Sequence, residues 1–149
     1  MENLKTTKRY TILISLIIFV VALTQTAITY QDYNGQKTHD GGSLFLVGGI
    51  VILGGGQKER FVWLANPLYL IALILFFKCK RLSGIFSTIA LLLALYFITF
   101  KEILAAEDGC MAQIQSLNVA YWLWITSMAI LTVGAFYYFT QASKNTVNA

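Results

Sequence analysis

Four uncharged, mostly apolar runs divide this chain, and each is long enough to cross a lipid bilayer. Spanning takes about 20 apolar residues, with a range of about 17–25. Tyr10–Tyr30 holds 21 residues without a charge, Phe61–Phe77 holds 17, Leu82–Phe100 holds 19, and a fourth run extends from about Leu117 to Thr140. Over the 149 residues, 57% are hydrophobic and 12% charged. A soluble domain carries about 25% charged residues, so too little charge is present to cover a water-facing surface. So apolar a chain also argues against intrinsic disorder. Two cysteines cannot build a disulfide scaffold. The net charge of +4 is scattered in small groups between apolar runs, which argues against a nucleic-acid partner. The expected surroundings are membrane lipids.

A fifth apolar run, residues 42–56, is shorter. Its apolar part, Ser43–Leu53, has 11 residues, about 16 Å of helix against a hydrocarbon core of about 30 Å. Gly48, Gly49 and Gly54–Gly56 lower its helix propensity by about 1 kcal/mol each. The reading is a Gly-rich re-entrant or interfacial segment between the first and second spans.

Charge sets the orientation. With four spans and a cytoplasmic N-terminus, the inner side holds Lys5, Lys8, Arg9, Lys78, Lys80, Arg81 and Lys144, and the outer side Lys37, Lys58, Arg60 and Lys101, seven against four. A fifth span would move the cluster at Lys78–Arg81 outside and erase the bias that cytoplasmic loops carry. Both termini are therefore expected in the cytoplasm, with spans at approximately 10–30, 61–77, 82–100 and 117–140. The first run is read as an uncleaved helix, because TQTAITY after it lacks an A-x-A cleavage pattern. Compact loops suit a bacterial inner membrane. The expected fold is all-α: a four-helix transmembrane bundle with the re-entrant segment, forming one membrane domain over residues 1–149.

Candidate chemistry is sparse. None of the four runs contains an ionisable Asp, Glu, Lys, Arg or His, although such residues mark proton and ion pathways inside membranes. Proton-coupled export and voltage sensing are therefore not expected. Cys79 and Cys110 fall on opposite sides, so a quinone-linked thiol oxidoreductase is not expected either. Cys110 is a candidate intermolecular thiol. His39, near Asp32 and Asp40, has no metal-ligand spacing, and Glu107-Asp108-Gly109 reads as a helix end and turn. No metal and no cofactor are expected.

Polar and small residues offer the rest. Gln25, Asn66 and Glu102 fall at similar depth near the outer ends of three spans and form a candidate outer polar cluster. Pro67 follows Asn66 and frees a carbonyl by lacking an N–H. Gly48, Gly49, Pro67, Gly84 and Ser87 are candidate packing residues. Aromatic residues such as Tyr30, Tyr33, Trp63, Tyr121 and Trp122 suit interfacial belts. The reading that follows is a small non-catalytic membrane protein acting through helix–helix contacts with itself or with a membrane-protein partner, in an accessory, immunity or scaffold role. The alternatives are a pore or small transporter using the Gly-rich segment, and an interfacial enzyme on a lipid-linked substrate using Glu102, His39 or Glu107.

Overall fold

The computed structural model describes residues 2–33, 35–49, 57–78, 81–104 and 111–147. Helix α1 (Glu2–Leu23) leads into strand β1 (Thr26–Asp32), which pairs with β2 (Gly35–Asp40). A short helix α2 (Gly41–Val47) follows, then α3 (Gln57–Trp63) and α4 (Ala65–Phe77), then α5 (Leu82–Tyr96), whose end tightens into a 3-10 turn at Phe97–Thr99. Strands β3 (Glu102–Leu104) and β4 (Met111–Leu117) precede the last helix, α6 (Val119–Val147). Four helical stretches are long and apolar enough to cross a membrane: Leu4–Leu23, Lys58–Phe77, Leu82–Thr99 and Val119–Lys144.

An all-α fold is not what the chain adopts. The four strands form one antiparallel sheet in the order β2-β1-β4-β3. The uncharged run Tyr10–Tyr30 is divided between two kinds of structure. Its helix ends at Leu23, where the Thr24 hydroxyl donates back to the Val21 carbonyl at 2.8 Å. The next residues, Thr26, Ile28, Thr29 and Tyr30, are β-branched or aromatic and suit a pleated surface. Within the Gly-rich segment read as re-entrant or interfacial over 42–56, residues Gly41–Val47 form α2. Asp40 caps this helix by accepting from the Ser43 N–H at 3.1 Å. The remainder of that segment, 50–56, lies outside the described residues.

The break between α3 and α4 has a local cause. Pro67 has no N–H to give the Trp63 carbonyl, so the helical ladder lapses at Leu64 while the bonds on either side persist, Leu64 N–H to Arg60 and Leu68 N–H to Leu64. The helix then restarts at Ala65 with Pro67 in its first turn, where a proline is tolerated.

Two cores are stacked along the molecule. The larger lies among the helices and comprises Phe19 of α1, Tyr69 and Phe76 of α4, Ala90 and Ala94 of α5, and Met128, Leu131 and Ala135 of α6. Alanines there let backbones approach, as helices in lipid require. The smaller core lies between the sheet and the helix ends and holds Ile28, Tyr30, Val62, Phe97, Ile103, Ala112 and Tyr121. Large apolar side chains such as Leu13, Ile17, Leu92 and Val133 stay exposed around the bundle, and lipid is the solvent that suits them. Since α1 runs toward the sheet and α6 away from it, the start of α1 at Glu2 and the end of α6 at Val147 both lie at the end opposite the sheet.

Candidate functional site

The sheet is joined directly to helices at its centre. β1 continues α1, β4 leads into α6, and β1 pairs with β4 from Ile28–Leu117 to Gln31–Gln113. The central strand pair therefore extends the antiparallel α1–α6 pair. Asn118 fastens the junction: its N–H donates to the Ala27 carbonyl at 2.8 Å and its side-chain amide to Thr29 Oγ1 at 2.7 Å. Its own carbonyl receives the first helical N–H groups of α6, those of Tyr121 and Trp122.

The two sheet edges differ. At β3 the backbone N–H of Leu104 is taken by the Glu59 carboxylate of α3 at 3.2 Å. β2 is open along its outer side, with Gln36, Lys37 and Thr38 exposed. Lys37 pairs with Asp32 at 2.8 Å across the hairpin. That hydrogen bond, with a second from the Tyr33 N–H, holds the Asp32 carboxyl below the usual carboxylate range. At the hairpin tip Tyr33 is 92% exposed. Gly35 closes the turn at φ +112, a conformation that a side chain disfavours. His39 stacks on Tyr30 with ring centroids 4.9 Å apart. Burial pushes its imidazole below the usual histidine range, opposed by the neighbouring Asp40 carboxylate. Hydrogen bonds from Ser43, first its side chain and then its backbone, lower the Asp40 carboxyl.

Among the described residues no hydrogen bond joins Gln25, Asn66 and Glu102. Gln25 is exposed at the end of α1, and its side chain reaches only the Thr24 hydroxyl, at 3.2 Å. Glu102 is exposed in β3, opposite Gln113. Asn66 is buried and accepts the indole N–H of Trp124 at 2.9 Å. Gly48 and Gly49 lie on the Trp63 ring, leaving no room for a Cβ at Gly48, and the Trp63 indole donates to the Phe45 carbonyl at 2.8 Å. These contacts seat α2 against α3. Gly84 packs against Phe136, and the Ser87 hydroxyl donates to the Gly84 carbonyl at 3.1 Å. Cys79, Glu107, Asp108 and Cys110 lie outside the described residues, and no group of three metal-ligating side chains occurs among the described ones.

What sequence reasoning missed is a set of polar ties centred on α6. The Ser15 hydroxyl of α1 donates to the Ser127 carbonyl at 2.7 Å and lies 2.7 Å from the Tyr69 hydroxyl of α4. The Tyr121 hydroxyl donates to the Ala94 carbonyl of α5 at 2.8 Å. With Trp124 on Asn66, α6 is thus hydrogen-bonded to each of the other three spanning stretches. Among the described residues only Ser83 has a buried side-chain polar atom left without a partner. Serines, a tyrosine and an asparagine scattered through apolar runs were the available signal, but their partners lie 27 to 112 residues away. No protein-family model, no curated protein and no solved structure matches this chain.

Proposed function

We propose that this chain is a non-catalytic membrane protein that works by contact, holding a sheet against a second copy of itself or a membrane-protein partner, in an accessory, immunity or scaffold role. In this reading the sheet stands outside a bacterial inner membrane and both termini are cytoplasmic, in accord with the seven-to-four bias of Lys and Arg.

The observation that carries it is the continuity of β1 with α1 and of β4 with α6. The sheet is thereby held rigidly relative to the membrane, and preorganisation lowers the cost of association. Support also comes from the interior, where buried hydroxyl, amide and indole groups serve helix-to-helix ties. Tyr33 supplies an exposed aromatic side chain at the hairpin tip, and tyrosine is enriched among residues that dominate binding energy.

A photo-crosslinking amino acid placed at Tyr33, Lys37 or Thr38, with lipid-facing Val133 as reference, tests the reading in intact membranes. Discrete adducts are expected at the sheet positions, of twice the chain's mass or of one partner's added mass. A monomeric mass in nanodiscs together with no discrete adduct at any sheet position overturns it.

A further inference from the structure

A cleft of about 630 Å³ opens between the first turns of α5 and the last turns of α6, at the end of the bundle opposite the sheet. Its lower wall is apolar, formed by Ile85, Phe136 and Phe139, and Gly84 lies beneath the Phe136 ring. Its rim carries Arg81 and Lys144. Phe136 and Lys144 are eight residues apart on one helix, so they share a face, with the cation nearer the chain terminus. Among the described residues no carboxylate lines the cleft, and the Lys37–Asp32 ion pair is at the opposite end of the molecule.

We propose that this cleft binds one anionic phospholipid, with the headgroup phosphate held by Arg81 and Lys144 and an acyl chain lying along Ile85 and Phe136. The guanidinium presents paired N–H donors that match phosphate oxygens, whereas the ammonium acts as a point charge. Basic pockets between spanning helices are suited to acidic headgroups. Charge complementarity selects the occupant. Lys5, Arg9 and Lys78 belong to the same end, where Glu2 is the acidic residue of α1, while Asp32, Asp40, Glu59 and Glu102 are on the sheet side, so the balance of charge at this end is positive and draws an anionic lipid. The assignment rests on the membrane placement of the four helices and is independent of what the sheet contacts.

The test is native mass spectrometry of the full chain released from nanodiscs of equal phosphatidylglycerol and phosphatidylcholine. One phosphatidylglycerol should be retained over phosphatidylcholine by roughly thirtyfold, the combined effect of two basic side chains at an anionic surface. Arg81→Gln with Lys144→Gln should bring retention to parity. Lys5→Gln with Arg9→Gln, which removes the same charge away from the cleft, should leave it unchanged. Gly84→Leu should abolish retention of either lipid, and Ile85→Trp, at an exposed position, does the same job should Gly84→Leu fail to fold. Equal loss in both charge variants, retention in the blocked variants, or displacement by inorganic phosphate each overturns the proposal. Phosphatidylglycerol selectivity in the unaltered chain, with a monomeric mass and no sheet adduct, would leave the cleft standing and remove the contact function alone.

Discussion

The hydroxyls of Ser15 and Tyr69 lie 2.7 Å apart in the middle of the bundle, and the direction of their hydrogen bond follows from the next link. Ser15 gives its single proton to the Ser127 carbonyl, so Tyr69 is the donor to Ser15. The two residues are therefore unequal. Tyr69→Phe removes a donor and leaves Ser15 still bonded to Ser127, at a cost of about 0.6–1.7 kcal/mol, the range of interhelical polar contacts in membranes. Ser15→Ala breaks both the tie to the Ser127 carbonyl and the acceptor of the Tyr69 phenol, which keeps only the Ser127 side chain, and costs about 1–3 kcal/mol. The double variant should be closer to Tyr69→Phe than to the sum. Unfolding in mixed micelles by rising SDS measures all three, and equal losses for the two single variants would contradict the donor assignment.

α1 and α6 pack tightly at Gly134, where a Cβ would collide with the Thr11 side chain. Gly134→Ala should destabilise by about 1–3 kcal/mol through overpacking, and adding Thr11→Ala should restore part of the loss. The same SDS titration reads it. An additive double variant would mean that the two helices are not in contact at this point.

Acid should loosen the sheet through His39. Its imidazole, stacked on Tyr30, is pushed below its ordinary value of 6.5 by burial. As pH falls the unfolded chain takes up the proton first, so stability is full above about pH 7 and declines as pH drops through 6.5 toward the lower folded value. Amide exchange in β1 and β2, corrected for intrinsic rates, should therefore quicken between about pH 7.5 and about pH 5.5. His39→Phe keeps the stacked ring and should flatten the dependence. An unaltered slope in that variant would assign the effect to another group.

Ser83 should respond in the opposite sense to most buried residues. Its hydroxyl is fully buried and lacks a partner, and an unpaired buried polar group costs about 1–3 kcal/mol. Ser83→Ala should therefore be neutral or raise the thermal midpoint in detergent. Asn66→Leu, which strands the Trp124 N–H, should lower it. A clear loss in Ser83→Ala would show that the hydroxyl is in use.

The helices were legible because lipid demands long uncharged runs, and Leu82–Phe100 reads almost as the structure has it, Leu82–Thr99. The sheet was not legible for three reasons. β1 is embedded in the same uncharged run as α1, so hydrophobicity alone does not mark where helix gives way to strand; Thr26, Ile28, Thr29 and Tyr30 were the sign. β4 alternates, with Ala112 and Ile114 more buried than Gln113 and Gln115, but it is only seven residues long. β2 is polar throughout and has no apolar pattern; its signal was Asn34-Gly35, which is also a hairpin signal. Of the candidate outer polar residues, Asn66 was placed by its depth beside Pro67, but its partner Trp124 is 58 residues away, and nothing local names it.

The clasp between β1 and β4 has a consequence for biosynthesis. β1 emerges from the ribosome long before β4, and its inner flank has no neighbour until residues 111–117 have been made and carried to the same face of the bilayer. For most of translation the β1–β2 hairpin is an unfinished ribbon with an open flank, vulnerable to pairing with a sister chain. Arrival of β4 is the event that seals it, so a ribosome stalled before that point leaves a product primed to aggregate rather than a smaller working protein.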